Sequence, residues 1–369
     1  MIIAPLKKAA RALLRARTRR QRLHTSLQAF SRNQLVPRTP DRNYLSEIDK
    51  YWRENFGRSV NPTWQLACTS VIGEQDVRYI PHDMWRERIL PAFNRMEMRP
   101  TYFDKNLADI LLQGPTSPPT VIKRMHGEYY DGRNRWLRRN EALQELLASK
   151  KEELILKGSR TDDGVNIRSL RISTTDLSIN NQIVRLEDLE RTHGRDFLVQ
   201  ERITQSPVMA APHPASVNTA RLVTFRWKDQ IRVLLAFARF GVEGKMTDNA
   251  GTGGVCCRIG SDGKMDDRAI DEYGTTHLRH PTSGYEFSEC AYVPNYDQMC
   301  REAIELHKRI FHSDIVSWDF ATNVDGSPVF LEMNFQGVSY IYQFASRKPI
   351  FGDLTREVLQ YVRDHRPYD

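Results

Sequence analysis

The sequence predicts an α+β (α/β) fold, because helix-like and strand-like segments intermix along a chain of ordinary globular composition. Of its 369 residues, 40% are hydrophobic, 27% are charged and 9% are aromatic, values that exclude a disordered, collagenous or coiled-coil chain. No stretch approaches the roughly 18 consecutive apolar residues of a membrane-spanning helix. At about 150 residues per domain, this length predicts two or three packed units.

The first forty residues carry the basic charge of the protein. Residues 1–40 contain ten Lys or Arg and no acid, whereas 41–369 hold 44 basic and 46 acidic side chains. Within 1–30, apolar side chains recur at helical spacing between the cations, which predicts a basic amphipathic arm in peripheral contact with an anionic membrane. A solvated helix packed on the body is the alternative. The nearly neutral body argues against nucleic acid as a partner.

The remaining elements follow from periodicity and loop composition. A helical region with tryptophan anchors ends at GPTSPP (114–119), and a helix is expected near 134–149. Further helices are expected near 297–311 and 353–363. The strand-like runs are ELILK (153–157), FLVQERI (197–203), ARLVTFRW (220–227), IRVLLAFARF (231–240) and GVCCRIG (254–260). The divisions predicted from these patterns are a basic arm at 1–40 and a mostly helical region at 41–118.

The cysteines indicate a reducing compartment. Their number, five, is odd, and none forms a CxxC pair. We therefore predict reduced thiols in a cytoplasmic protein, with the basic arm on the inner face of the plasma membrane, rather than a disulfide framework or a zinc site. A homodimer is the default expectation for the oligomeric state.

The most informative segment is 314–334, in which two β-like runs flank an Asp-Gly dipeptide at 325–326. That dipeptide favours the type I′ turn of a hairpin with a two-residue loop. With such a loop, Asp319 lies directly opposite Glu332, and Asn334 lies two residues further along the same face. The sequence thus predicts three oxygen-bearing side chains together on one side of a hairpin.

These three side chains suit a divalent cation. Two opposed carboxylates repel each other in a bare sheet, and a cation between them reverses the sign of the interaction. Carboxylate and amide oxygens are ligands that Mg²⁺ takes, with phosphate oxygens and waters completing an octahedron. We therefore predict Asp319, Glu332 and Asn334 as metal ligands. A solvent-facing hairpin edge is the alternative, although Phe320 and Phe330 nearby are core-like.

The sequence resembles the ATP-grasp superfamily, and more narrowly its sugar-transfer-associated branch, from about residue 100 to the C terminus. Besides the hairpin, the segments that carry the resemblance are DKN (104–106), ILKGSRTDDGVNI (155–167), LVQERI (198–203), HPASVNTARLVTF (213–225), ARFG with DNAGTGG (238–254) and HPTSG (280–284). The resemblance implies two α+β lobes that grip ATP, at 119–205 and 206–369, and a helical N-terminal extension. It also implies ATP and Mg²⁺ as cofactors.

The resemblance also implies roles for individual residues. Those implied to bind the nucleotide are Lys123, Lys157, Gly164, Gln200, Glu201, Ile203, Asn218, Asp248 and Asn249. Arg221 and Arg239 are implied to stabilise the charge that develops on phosphate during catalysis. From the residues alone, Lys157 is also compatible with a surface lysine at a strand end, and Arg221 with a structural salt bridge.

Two features fall outside the family pattern or are not explained by it. The expected phosphate loop is glycine-rich, whereas here it contains Asp162, Asp163 and a single glycine. Acids beside a polyphosphate are unfavourable unless they point away or meet a metal. His213 and His280 each precede a proline, which favours extended backbone. Each histidine is either a base or a loop packing residue.

The function implied by the resemblance is an ATP-dependent carboxylate–amine ligase. It would form an amide through an acyl phosphate, on a sugar- or polysaccharide-linked carboxylate or an amino acid, with a small-molecule or sugar-linked amine as the second substrate. One alternative is a peptide or amino-acid ligase of secondary metabolism. Another is a phosphotransferase that acts on a hydroxyl. A non-catalytic nucleotide sensor does not require the three predicted metal ligands.

Overall fold

A computed structural model describes residues 27–28, 30, 32–114, 116–161, 166–244, 248 and 253–365. The chain forms two compact units. The first consists of the chain up to Ala92, of Ile270–Thr276 and of the residues from Val338 onwards, and the second of Phe93–Ala269 and His277–Gly337. Residues 1–26, 29 and 31 of the predicted basic arm lie outside the described residues, and the membrane contact of the arm stays a prediction.

The helices and strands have the following bounds. The helices are α1 (Arg42–Phe56), α2 (Thr63–Ile72), α3 (His82–Met84), α4 (Leu90–Phe93), α5 (Arg99–Phe103), α6 (Ala108–Leu111), α7 (Arg139–Ala148), α8 (Leu186–His193), α9 (Pro207–Ala210), α10 (Tyr296–His307), α11 (Ser339–Ser346) and α12 (Thr355–Asp364). The strands are β1 (Thr120–Met125), β2 (Glu128–Asp131), β3 (Trp136–Leu137), β4 (Glu153–Gly158), β5 (Arg168–Ile172), β6 (Leu177–Ile179), β7 (Gln182–Val184), β8 (Phe197–Glu201), β9 (Thr219–Trp227), β10 (Gln230–Phe240), β11 (Val255–Ile259), β12 (Met265–Ile270), β13 (Thr276–His277), β14 (Ile315–Thr322) and β15 (Pro328–Asn334). A π-helical turn, Trp85–Ile89, joins α3 to α4.

The first unit is helical, and its long helix α1 shows why. Tyr44, Ile48 and Trp52 recur every four residues and are buried, which gives α1 one apolar face. The Asp41 carboxylate accepts a hydrogen bond from the backbone N–H of Asn43 at the N terminus. Helix α12 packs against α1, and α11 packs against α2.

The second unit contains two antiparallel sheets. The first has the strand order β3-β2-β1-β8-β4-β5-β6-β7. One of its faces forms a core with α7 and α8, through buried residues such as Leu154, Leu156 and Phe197. On the opposite face, Lys123 and Lys157 both pair with Leu198 of β8, one from each side. Paired residues share a face, so the two lysines lie on the same side of this sheet.

The second sheet has the order β13-β12-β11-β10-β9-β14-β15. Leu222, Trp318 and residues of α10 such as Met299 belong to the core on one face. The opposite face carries a set of paired positions that we call the Asp319 row. It consists of Glu332, Asp319, Arg221 and Phe237 on β15, β14, β9 and β10. The burial of one face thereby directs charged groups to the other.

The observed elements agree in outline with the sequence predictions. Strands β1–β8 fall within the predicted lobe 119–205, and β9–β15 fall within 206–369. The expected helices near 297–311 and 353–363 correspond to α10 and α12. The chain from Val338 onwards belongs to the first unit, a grouping the predicted boundaries do not contain. No helix in the described parts of the chain is long and apolar enough to cross a membrane.

Candidate functional site

The β14–β15 hairpin places the predicted carboxylates together, although by a different turn. The strands end at Thr322 and Pro328, so the prediction of a two-residue loop is wrong. The Gly326 N–H donates to the Asn323 carbonyl at 2.8 Å, and Gly326 has a φ of 82°. Glycine adopts this left-handed conformation without a Cβ clash, which explains its place in the reversal.

The register of the hairpin is restored by a bulge. Thr322 pairs with Pro328, one position away from the register that the predicted loop would give. The register then shifts between Asp319 and Phe320, so that Asp319 pairs with Glu332 after all. The predicted pair is therefore present because two deviations from an ideal hairpin cancel.

Two arginines hold the Asp319 carboxylate. The Arg221 guanidinium donates from Nε to Oδ1 at 2.6 Å and from Nη2 to Oδ2 at 2.5 Å. Arg239 adds a third contact, from Nη1 to Oδ2 at 3.0 Å. Burial raises the pKa of Asp319, but the two guanidinium groups outweigh burial and lower it to about 2. Asp319 is therefore ionised at any physiological pH.

Arg239 is fixed from its other side by a second acid. Its Nη2 lies 3.2 Å from Oδ1 of Asp248, which is also hydrogen-bonded by the Thr219 hydroxyl. Burial raises the pKa of Asp248, and Arg239 opposes that shift. In the described structure Asp248 thus orients an arginine, which is a different role from the predicted contact with the nucleotide.

Glu332 and Asn334 form the more open part of the site. The Asn334 Nδ2 amide donates to both carboxylates, at 3.4 Å from Asp319 and 3.3 Å from Glu332. The Lys105 ammonium lies 3.4 Å from the other Glu332 oxygen. The side chain of Glu332 is 32% exposed and that of Asp319 is 3% exposed. Glu332 is therefore the carboxylate of this pair that a ligand reaches first.

The two lysines at this point come from the first sheet and the segment before it. Lys157 ends a run of alternating burial on β4 and makes no hydrogen bond or ion pair to any residue that the structure describes. Burial, followed by the charge of Lys105, lowers the pKa of Lys157 to about 8, whereas Glu332 raises it. The sequence prediction did not include Lys105, although the DKN motif marks its position.

Backbone contacts explain how Lys105 reaches the site. Its N–H donates to the Ser159 carbonyl at 2.9 Å, and its ammonium donates to the Thr161 carbonyl at 2.8 Å. The neighbouring Asp104 accepts from Arg160 at 2.7 Å. The DKN segment is thereby tied to the start of the phosphate loop, whose residues 162–165 lie outside the described part of the chain. The predicted contact of Gly164 is among them.

Lys123 has a different environment. Its ammonium donates to both carboxylate oxygens of Asp109 at 2.7 Å, to Oδ1 of Asn134 at 2.8 Å and to the Asn106 carbonyl at 3.0 Å. Its side chain is only 2% exposed. A nucleotide contact would have to replace one of these protein oxygens, so the predicted role of Lys123 competes with a structural one.

The predicted adenine hinge contains one unpaired acceptor. The Gln200 Nε2 amide donates to the Pro118 carbonyl at 3.2 Å and to Oγ1 of Thr120 at 3.0 Å. Its Oε1 is buried without a hydrogen-bond partner among the described residues. An amino group, such as that of a purine, would supply the missing donor. Glu201 pairs with Lys151, and Ile203 is partly buried beyond β8.

Asn218 is fully engaged within the protein. Its Nδ2 donates to the carbonyls of Met209 and His213, at 2.7 and 2.9 Å. Its Oδ1 accepts from Ser216 Oγ at 2.7 Å and from the Gly241 N–H at 3.2 Å. The residue is completely buried, so it orders a loop and presents no free polar atom to a nucleotide. Asn249, another predicted contact, lies outside the described residues.

The predicted metal ligands fit a magnesium ion by donor type. Asp319, Glu332 and Asn334 offer hard oxygens on one face, and the amide of Asn334 would have to turn its oxygen inward. Within the described ranges, no group of three or more His, Cys, Asp or Glu is placed to hold a metal. Three protein oxygens leave positions of an octahedral shell that phosphate and water oxygens would fill, as is common for Mg²⁺.

Comparison with known families bears on this geometry. The model of the family described as sugar-transfer associated ATP-grasp matches residues 86–358, more than half of the chain. The chain belongs to this family. The match confirms the predicted sugar-transfer associated ATP-grasp family. The helices and the two antiparallel sheets described above confirm the predicted α+β class.

Solved structures show more distant likeness. VanG D-Ala:D-Ser ligase from Enterococcus faecalis is 14% identical, with a TM-score of 0.41 over 70% of this chain and 60% of that one. The D-alanine-D-alanine ligase from Coxiella burnetii is 10% identical, with a TM-score of 0.43 over 74% of this chain and 61% of that one. Biotin carboxylase from Campylobacter jejuni is 11% identical, with a TM-score of 0.43 over 75% of this chain and 50% of that one. This ATP-grasp chain thus spans less than two thirds of each. No curated protein sequence matches it significantly.

Proposed function

We propose that this protein is an ATP-dependent carboxylate–amine ligase that forms an amide through an acyl phosphate. One observation carries the proposal. Two cations, Lys157 of the first sheet and Lys105 of the segment before it, interact with Glu332 in the Asp319 row of the second sheet. Cations from one sheet and an arginine–carboxylate cluster from the other would surround a polyphosphate and leave its terminal phosphate beside the second sheet.

The arginines would stabilise the charge that develops on the transferred phosphate. Asp319 and Asp248 hold Arg239 from two sides, at 3.0 and 3.2 Å, so the guanidinium needs little reorganisation when substrate binds. Arg221 forms a bidentate salt bridge with Asp319, and the Arg221 side chain is 18% exposed. Such preorganised groups assist phosphoryl transfer without a covalent contribution from the protein.

Lys157 would contribute a charge that depends on its ligand. Burial and Lys105 make its ammonium unfavourable in the free protein, with a pKa lowered to about 8. An anionic phosphate would reverse that penalty, because opposite charges favour the protonated form. The hydrogen bond from the Lys105 ammonium to the Thr161 carbonyl places this second cation at the start of the phosphate loop.

A magnesium ion would be held by Asp319, Glu332 and Asn334. When bound, it would neutralise part of the negative charge of the phosphates. Glu332, as the more exposed of the two carboxylates, is the protein ligand best placed for it. Removal of divalent cations with a chelator should therefore abolish turnover and weaken nucleotide binding.

The proposed carboxylate substrate is a uronic acid or another sugar-linked acid, in the setting of polysaccharide biosynthesis. The family description, sugar-transfer associated, supports this class of substrate. An amino-acid or peptide substrate, and phosphorylation of a hydroxyl, are the competing outcomes. A ligase joins the acid to the amine and releases phosphate, whereas a kinase leaves the phosphate on the acceptor, so the products distinguish these reactions.

The test measures product mass and phosphate release together. The protein is incubated with ATP, Mg²⁺, an amine such as L-alanine and a panel of free uronic acids and amino acids. A ligase yields an acid–amine condensate, ADP and one free phosphate per turnover. A kinase yields a phosphorylated acceptor without free phosphate, which would contradict the proposal. The Lys157→Met variant serves as the control for contaminating ATPases.

A further inference from the structure

Two histidines outside the Asp319 row stack on each other. His213 and His280 each precede a proline, and their ring centroids are 5.4 Å apart with an interplanar angle of 18°. They are 5% and 1% exposed, respectively. A buried histidine pair requires that every ring nitrogen be accounted for, because an unpaired buried polar atom is costly.

The protonation of His280 is fixed by backbone groups. Its Nε2 lies 2.8 Å from the Gly241 carbonyl, so Nε2 carries a proton and donates it. Its Nδ1 accepts from the N–H groups of Thr282 and Ser283, at 3.4 and 3.2 Å. A nitrogen that accepts two N–H groups cannot also hold a proton. His280 is therefore a neutral ring with no donor left for its neighbour.

The protonation of His213 follows from a chain of hydrogen bonds that starts at Asn218. Two carbonyls accept from Asn218 Nδ2, which fixes the orientation of that amide. Its Oδ1 must then accept from the Ser216 hydroxyl, at 2.7 Å. The Ser216 hydroxyl uses its only hydrogen in the bond to Asn218, so its oxygen accepts a hydrogen bond from His213 Nδ1–H, at 2.8 Å. His213 Nε2 is thus left with an unshared electron pair.

No described neighbour supplies a donor to that nitrogen. His280 has none to give, and Nε2 of His213 makes no hydrogen bond within the part of the chain that the structure describes. Glu243, whose charge raises the pKa of His213, is an acceptor when ionised. Burial has the larger effect and lowers the pKa of His213, which favours the neutral ring. The missing donor is therefore expected from a ligand or from water.

Backbone contacts place the histidine pair near Arg239, the arginine proposed to stabilise the transferred phosphate. Asn218 Oδ1 and His280 Nε2 bind the N–H and the carbonyl of the same residue, Gly241. Gly241 follows the end of β10 and lies two residues beyond Arg239, a backbone distance of about 7 Å. The histidine pair therefore lies along the sheet beyond the arginine that meets Asp319.

We propose that His213 Nε2 is the general base that accepts a proton from the nucleophilic amine, a role that rests on the function proposed above. The neutral amine attacks the carbonyl carbon of the acyl phosphate and a C–N bond forms. The C–O bond to phosphate breaks, and its electron pair leaves with phosphate. The proton lost from nitrogen passes to Nε2 and then to solvent. Ser216 and Asn218 position the base by fixing its tautomer.

The test separates the two half-reactions with two amines. Hydroxylamine is unprotonated and strongly nucleophilic at neutral pH, so it captures an acyl phosphate without a base. L-alanine requires one. In His213→Asn, the Asn amide keeps a donor toward Ser216 but lacks the second nitrogen. With D-glucuronate as the first acid tested, amide formation from L-alanine should fall by about 10²-fold or more, and hydroxamate formation should be unchanged.

The controls cover folding and position. His126→Asn makes the same substitution at an exposed histidine and should leave both products unchanged. Ser216→Ala removes the acceptor of Nδ1–H, so it should reduce amide formation less than His213→Asn and shift the acidic limb of its pH profile. Equal loss of both products in a folded His213→Asn variant would overturn the proposal.

A second measurement does not depend on any substrate. Nitrogen-15 spectra of the histidine side chains, assigned by loss of a signal in His213→Asn, should show His213 protonated at Nδ1 alone at neutral pH. Protonation at Nε2 would overturn the assignment of the base. A wild-type protein that forms neither hydroxamate nor amide would instead contradict the ligase function, and the spectra would then decide the state of His213 by themselves.

Discussion

The two strands that flank β8, β1 and β4, carry lysines at equivalent positions but in different surroundings. Lys123 and Lys157 lie on the same face and both pair with Leu198. Protein oxygens surround the ammonium of Lys123, whereas Lys157 has no hydrogen-bond partner among the described residues and a second cation, Lys105, beside it. A buried lysine whose ammonium is hydrogen-bonded by the protein stabilises the fold, whereas one without such partners costs stability unless a ligand compensates its charge.

The second sheet repeats this contrast with acids. Asp319 is buried and bound by two arginines, whereas Glu332 is partly exposed and is contacted by the Lys105 ammonium and the Asn334 amide. Two lysines, and likewise two acids, thus differ in how much their substitution should lower the free energy of unfolding. Substitutions that compare the satisfied with the unsatisfied member of each pair test this interpretation.

The largest effect is expected at Asp319. Asp319→Asn leaves two buried guanidinium groups without their shared carboxylate, so the free energy of unfolding should fall by about 3–5 kcal/mol, together with turnover. Glu332→Gln should impair turnover with little change in stability. Urea denaturation of both variants measures the difference. Equal stability of the two would contradict the structural role of Asp319.

Lys123→Met should reduce stability by about 3 kcal/mol. It leaves the Asp109 carboxylate and the Asn134 amide oxygen without the ammonium that binds them. Thermal unfolding, followed by calorimetry, is the measurement. The matched Lys157→Met variant should unfold at the wild-type temperature or slightly above it. A reversal of this order would mean that the two lysines have been assigned the wrong roles.

Lys157→Met should weaken nucleotide binding and turnover by about 10²-fold, because a positioned charge on phosphate is lost. Titration of the protein with ATP and Mg²⁺ by calorimetry measures the affinity directly. Lys123→Met, studied below its unfolding temperature, is the control and should bind the nucleotide almost normally. Loss of binding in Lys123→Met alone would favour the nucleotide role that the sequence implied for Lys123.

Nucleotide affinity should also depend on pH through Lys157. Its pKa is lowered to about 8, so the ammonium is lost as pH rises through 8, and affinity should fall by at most about tenfold per unit. Without nucleotide, Lys157 loses its proton near pH 8 in the folded protein but only near pH 10.5 in the unfolded chain. Between these pH values the unfolded chain binds more protons, so the contribution of Lys157 to the free energy of unfolding rises with pH. Neither trend should remain in Lys157→Met.

The smallest effect on the site is expected from the basic arm. Deletion of residues 1–30 should remove binding to vesicles that contain anionic lipid and leave ATP affinity unchanged, because the cations of the arm are separate in sequence from the nucleotide site. Vesicle sedimentation at low and physiological salt tests both parts. Undiminished sedimentation of the shortened protein would exclude the membrane role of the arm.

The outline of the site was predictable because it depends on local patterns. The alternation along β4 directs Lys157 away from the core, and the Asp-Gly reversal brings Asp319 opposite Glu332. Even there, the pairing survives only because a bulge compensates for a longer loop. A sequence pattern encodes which face a residue occupies more reliably than which turn connects the strands.

The partners of the charged groups were not predictable, because they come from distant parts of the chain. Asp319 is 98 residues from Arg221 and 80 from Arg239. The sequence placed Asn218 in the nucleotide site, but tertiary contacts use each of its polar atoms. It also missed Lys105, whose side chain reaches Glu332 only in the folded protein.

By itself, therefore, the sequence determined the family, the α+β class and the oxygen-rich hairpin, since these rest on periodicity, short motifs and a turn. Tertiary structure alone decided which charges the protein satisfies, namely those of Lys123 and Asp319, and which it satisfies less completely, namely those of Lys157 and Glu332. The physical reason is that the free energy of a buried charge depends on the groups within a few ångströms of it, and chain folding selects those groups.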